Sequence, residues 1–172
     1  MKIVIRIVAA ICFGLMIQAL PASAADPAPA AAPALQIDVP FAAKAAKVVF
    51  NMSHPTFAGD QSVGIAHMKL VVQRFKAEKT PLELVAVFHG MAGYMLLKDT
   101  VYNKVRRTER GNPYKDLIAE LQSEGVRFEE CGQTAKTNGW FNADLLPGVK
   151  VNAGANLRII ELVQSGFVQL QP

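Results

Sequence analysis

The chain has 172 residues, a formal net charge of +4 and an apolar content of 51%, enough for one domain with its own core. No basic stripe interleaved with aromatic residues is present, so the positive balance does not argue for nucleic-acid binding. There are two cysteines, Cys12 and Cys131, and Cys12 falls in a segment that reads as removable, so an internal disulfide is excluded.

The amino terminus has the order of a secretory leader. Lys2 and Arg6 form a short positive region, Ile7 to Leu20 is a mostly apolar run, and Ala22-Ser23-Ala24 follows Pro21 as a small-x-small cleavage site. The run is shorter than the roughly 20 apolar residues that a membrane helix needs, which makes an uncleaved anchor the second reading. Cys12 follows Ile11 inside the apolar run, which disfavours a lipoprotein. Cleavage after Ala24 removes 24 of the 172 residues, leaves 148, and lowers the net charge from +4 to +2 with the loss of Lys2 and Arg6. The mature chain is therefore expected in the periplasm or otherwise exported, with no membrane attachment after cleavage. Residues 25–36, rich in alanine and proline, read as a disordered, extended spacer. The folded domain is expected over residues 37–172.

From Lys47 onward, strand-like and helix-like segments alternate. Val48-Val49-Phe50 is a β-branched and aromatic run that stops at Asn51 to Pro55. Ile65, Met68, Val72 and Phe75 then fall at helical spacing within residues 61–77. Leu82 to Phe88 is nearly all apolar, as expected of a strand covered on both faces, and it ends at His89-Gly90. Helical turns are expected over Met91 to Lys98 and over Thr100 to Arg107. Asn112-Pro113 has the form of a helix cap and first turn, Tyr114, Leu117, Ile118 and Leu121 make one stripe, and Gly125 ends the helix. Val126 to Cys131 and Val149 to Val151 are two more strands. Asn152 is the expected cap of a helix carrying Ala155, Ile159, Ile160 and Val163. Gly166 closes that helix, and Phe167 to Leu170 is the last strand. The pattern predicts an α/β domain with a mainly parallel sheet of about five strands, because parallel neighbours need crossover connections.

In such sheets the functional crevice lies beyond the carboxyl ends of the strands. That rule selects Asn51 and His54 after the first strand, His89 and Gly90 after the second, Cys131 and Gly132 after the third, and Asn152 after the fourth. Cys131 is the candidate nucleophile: a thiol at a helix start is acidified by the exposed amides. Glu129 and Glu130 act against that ionisation, although strand alternation points one of them away. His54 and His89 are each a candidate base, ligand or donor to an anionic sulfur. His67, inside the first helix, reads as structural or solvated, and Tyr94 and Met95 as packing. Trp140 and Phe141 are either core or a pocket roof. Lys104, Arg106, Arg107 and Arg110 are a solvated face or a docking surface for an acidic partner. Fingerprints of dinucleotide, triphosphate, dithiol, zinc-protease and serine-hydrolase sites are all missing from the sequence.

The segment Gly125 to Ala135, reading GVRFEECGQTA, resembles the strand-then-cysteine unit of DsrE/DsrF-like proteins. The helix from Asn152 to Gln164 running into Ser165-Gly166-Phe167-Val168 is similar to that family's closing unit. The strands Val48 to Asn51 and Leu84 to Gly90 fit it too, so the resemblance covers roughly residues 45–172. It implies a flavodoxin-like, three-layer α/β/α fold, a homo-oligomer (trimer or hexamer), and sulfur-relay chemistry without cofactor or resident metal. In that chemistry Cys131 carries sulfane sulfur as a persulfide between a sulfur donor and a thiol partner protein. Relay members are usually cytoplasmic, whereas this chain carries a leader. Two other readings stand beside the relay. One is a small-ligand or metal-binding module using Cys131, His54 and His89; the other is a structural subunit of an exported complex.

Overall fold

Leu82–Phe88 (LELVAVF) forms the middle strand of the sheet, and its Leu84 to Phe88 stretch is almost completely buried. A run of five such residues has no solvent face, which requires a layer of structure on each side. The computed structural model describes residues 34–42 and 44–172. The expected leader and most of the expected spacer fall at residues 1–33, outside the described residues. Residues 34–40 carry neither helix nor strand, and Phe41–Pro172 is one compact unit.

In chain order the unit contains β1 (Ala46–Met52), β2 (Phe57–Ala58), β3 (Gln61–Ser62), α1 (Val63–Ala77) and β4 (Leu82–Phe88). A 3₁₀ segment (Gly90–Leu96), α2 (Asp99–Arg106), α3 (Lys115–Ser123) and β5 (Arg127–Cys131) follow. The chain ends through α4 (Gly132–Asn138), a 3₁₀ turn (Asn142–Asp144), β6 (Lys150–Asn152), α5 (Ala155–Gln164) and β7 (Val168–Leu170). Five strands lie in the order β6-β5-β4-β1-β7, and every pairing is parallel. The expected α/β class with a parallel sheet is the observed one.

Strand order explains how the helices are shared out. The chain steps in one direction from β1 through β4 and β5 to β6, and right-handed crossovers place successive connections on the same face. The return to β7, beyond β1, runs the other way, so α5 covers the opposite face. The first face packs Val48, Phe50, Leu84, Phe88 and Phe128 against Ile65, Met68 and Val72 of α1 and Ile118 and Leu121 of α3. The second holds a smaller cluster, in which Val49, Val85, Val87 and Cys131 meet Ala155, Ile159 and Leu162 of α5.

Local departures from the expected elements have local causes. Residues 61–62 belong to a short hairpin rather than to α1, with Phe57 opposite Ser62 and Ala58 opposite Gln61 around Gly59-Asp60. Two-residue strands carry no periodicity to read. Asn112 does not sit at the start of α3. Its buried amide donates to the carbonyls of Met95 and Leu97 at 2.8 and 2.7 Å, its oxygen accepts from the Tyr114 N–H, and the helix begins at Lys115. Asn152 behaves similarly: its oxygen accepts from the Gly154 N–H at 3.1 Å, and α5 starts at Ala155.

Candidate functional site

The register of the parallel strands fixes which side chains stand together at their carboxyl ends. Cys131 of β5 is level with Asn152 of β6, and Glu130 is level with Phe88 of β4, so His89 follows level with Cys131. Asn51 of β1 pairs with Val87, two residues before His89 and on the same face. A single row therefore runs Asn51, His89, Cys131, Asn152 across four strand ends, all on the face covered by α5. Sequence alone does not give that order, since it depends on which strands are neighbours.

Cys131 is 5% exposed and ends β5 immediately before α4. Its sulfur accepts the Ala155 N–H at 3.3 Å, at the first turn of α5. Burial is the largest single influence on the thiol and pushes its pKa up. Hydrogen bonds from the amides of Thr134 and Ala155, the Thr134 hydroxyl and the Gln133 amide together outweigh it, and the pKa falls below the ordinary cysteine value. The sulfur is thus held between the start of one helix and the start of another, in the partial positive field of unpaired amides. It lines a cleft of about 280 Å³ together with His89, Gln133, Gly154, Asn156 and Leu157. That cleft is its route to solvent.

The two glutamates before the cysteine do not oppose this ionisation in the way the sequence suggests. Glu129, on the sulfur's face, is matched by Arg158 of α5, whose Nε and Nη2 each donate to it at 2.9 Å, and by Asn152 Nδ2 at 3.2 Å. Glu130 points to the other face, is 0% exposed and has no hydrogen-bond partner among the described residues for either oxygen. Burial first, and the Cys131 charge second, push its pKa up to about 9, so at neutral pH it is an uncharged acid. One charge is paired and the other is absent.

His89 Nε2 lies 2.7 Å from Asn51 Oδ1. A side-chain carbonyl oxygen only accepts, so Nε2 carries the proton and Nδ1 of the neutral ring is an acceptor. Burial, and to a smaller extent the nearby His54, lower the His89 pKa and keep the ring neutral. The expected role of His89 as a donor to an anionic sulfur finds no hydrogen bond among the described residues, and the amides take that role instead.

The remaining candidates separate. His54 is exposed, bonded to Ser53 Oγ at 2.9 Å, and is not among the residues lining the cleft. The Gly90 amide donates to Thr134 Oγ1 at 2.9 Å, which ties the end of β4 to α4 and orients the hydroxyl that serves the sulfur. Gly132 permits close strand packing, since a Cβ there would lie 2.6 Å from the Asn152 carbonyl oxygen. Trp140 packs on the larger core, while Phe141 is 73% exposed. Arg106 stacks over Tyr94 at 4.4 Å, so the basic run is partly anchored to the core. Thr134, Ala155 and Arg158 complete the site beyond the residues that the sequence selects. Thr134, in the first turn after the cysteine, carried the one readable signal. Among the described residues no three His, Cys, Asp or Glu side chains gather where they could hold a metal ion.

A parallel five-stranded sheet covered by helices on both faces defines the α/β class of protein, and comparison defines the family. The model of the DsrE/DsrF-like family matches residues 43–172, and the chain belongs to that family. Two solved structures share the fold. A protein of unknown function, MTH1491 from Methanobacterium thermoautotrophicum, is 22% identical with a TM-score of 0.55, covering 74% of this chain and 99% of its own. The ychN protein from E. coli is 15% identical with a TM-score of 0.53, covering 73% and 99%. No curated protein matches the chain.

Proposed function

We propose that this protein is a periplasmic sulfur-relay carrier that holds sulfane sulfur as a persulfide on Cys131. The observation that carries the reading is the setting of the thiol, whose sulfur receives the Ala155 N–H at 3.3 Å and opens into the cleft. Family membership supports the same chemistry. In the loading step the Cys131 thiolate attacks the sulfane sulfur of a donor such as thiosulfate. A bond forms between Sγ and that sulfur, the donor's S–S bond breaks, and sulfite leaves with the electron pair. The amides that hold the thiolate remain beside the new persulfide anion.

The test is intact mass after incubation with thiosulfate or polysulfide. The wild type is expected to gain about 32 Da, one sulfur atom, and Cys131→Ser to gain nothing. A wild type that gains no mass with either donor sinks the reading. Export is supported by the charged, apolar and small-residue order of residues 1–24 and is checked by cell fractionation. A homo-oligomer, trimer or hexamer, belongs to the same reading. It is supported by Leu157, Ile160 and Val163, exposed at successive turns of α5, and sedimentation of wild type against Ile160→Glu checks it.

A further inference from the structure

The relay has two halves, and the thiol's surroundings account for only one of them. Loading needs a nucleophilic sulfur, and the amides around Cys131 supply it without any imidazole. Unloading needs an acceptor that arrives as a protonated thiol and must lose its proton to attack. Among the described residues one titratable group besides Cys131 lines the cleft, and that is His89. Its Nε2–H is committed to Asn51 at 2.7 Å, while Nδ1 has no hydrogen-bond partner among the described residues. A neutral imidazole with one nitrogen anchored and the other free is arranged to accept a proton. Asn51 and Cys131 stand on opposite sides of His89, on the two strands that flank β4.

Resting on the sulfur-relay reading, we propose that His89 is the catalytic base of the unloading step. Nδ1 takes the proton of an incoming thiol as that thiol attacks the outer sulfur of the Cys131 persulfide. A bond forms between the acceptor sulfur and the outer sulfur, and the bond between Sγ and the outer sulfur breaks. The electron pair of the broken bond stays on Sγ, where the Ala155, Thr134 and Gln133 amides receive the thiolate. The proton on His89 passes to water. Sulfane sulfur moves from one thiol to another, so no oxidant or reductant enters. Asn51 is a positioning residue that fixes which ring nitrogen is free.

Among the described residues Asn51 of β1 bonds the His89 ring, His54 lies near it in the loop after β1, and Cys131, Gln133 and Asn156 line the same cleft. Glu129 is paired with Arg158, and Glu130 lies on the other face of the sheet.

The experiment uses full-length mature protein loaded with thiosulfate or polysulfide and follows loss of the added sulfur by intact mass. Two acceptors are compared at mildly alkaline pH: 2-mercaptoethanol, which must be deprotonated, and sulfite, which attacks without losing a proton. His89→Gln keeps an N–H for Asn51 but cannot take a proton. The variant is expected to load as the wild type does and to unload to sulfite at the same rate. Its unloading to 2-mercaptoethanol is expected to fall on the order of 100-fold. The wild-type thiol rate should also show an inflection at the His89 titration that the variant lacks. Equal thiol rates in the two proteins would overturn the assignment, as would an equal loss with both acceptors, which marks a structural role. A wild type that never loads takes down the relay reading itself, and this inference with it.

Discussion

The two faces of the sheet treat the same residue type in opposite ways. Glu129 and Glu130 are consecutive, and alternation sends one to each face. On the α5 face Glu129 accepts hydrogen bonds from Arg158 and Asn152. On the opposite face Glu130 lies within the larger core against the 3₁₀ segment, so close to Gly93 that a Cβ there would lie 2.6 Å from Oε1. No donor among the described residues reaches it, and burial keeps it a neutral acid at neutral pH. The face that carries the candidate chemistry holds a small apolar cluster under α5, and its carboxylate is paired. The face that carries the stability is thick, and it tolerates one acid by holding its proton.

The largest effect expected from breaking that contrast is a pH dependence. Below the ordinary carboxyl range, near 4.5, Glu130 is protonated whether the chain is folded or not; between there and about 9 only the folded chain keeps the proton. Unfolding then releases a proton, so the Glu130 contribution is fully present at acid pH and is lost as pH rises through the folded value. The slope approaches about 1.4 kcal/mol per pH unit and reaches several kcal/mol across the window. Urea denaturation at about pH 5, 7 and 9 should show this decline in the wild type and lose it in Glu130→Gln. A wild type and variant with parallel pH profiles would mean that the acid is ionised or solvated after all.

On the other face, Arg158→Met leaves a nearly buried carboxylate with Asn152 alone, and a loss of about 3 kcal/mol is expected. The double replacement Glu129→Leu with Arg158→Met should recover most of it, because no charge is then stranded. A smaller effect, about 2 kcal/mol, is expected for Gly132→Ala, whose Cβ forces β6 away from β5. It should also slow sulfur loading, since the same shift disturbs the amides around Cys131. Smallest is the exposed pair of Lys76 and Glu124 at 2.7 Å, where Glu124→Gln should change stability by no more than about 0.5 kcal/mol.

Much of this molecule is readable from local pattern. Leu82 to Phe88 reads as a strand buried on both faces, and that is what it forms. Gly125 and Gly166 read as helix ends, and both adopt positive φ, 93° and 89°. Cys131 reads as a strand-end thiol because a β-branched and aromatic strand stops there before a helix-forming run. Contacts between residues far apart in the sequence have no such pattern. The glutamates looked like an obstacle to the thiolate because Arg158, 29 residues from Glu129, has no local signature. Ala155 has no local signature either, because a backbone amide has no residue code.

Periodicity, turn residues and the ends of strands are properties of neighbouring residues, so the sequence by itself determined the element types, the parallel α/β class and the rim on which the candidate residues lie. Strand order decided the rest. Placing β4 between β1 and β5 sets Asn51, His89 and Cys131 in one row, and the return of the chain to β7 brings α5 over that row. Only then does the Ala155 N–H meet the sulfur and Arg158 meet Glu129. Such pairings are set by which surfaces pack together, and no local stretch of chain encodes them.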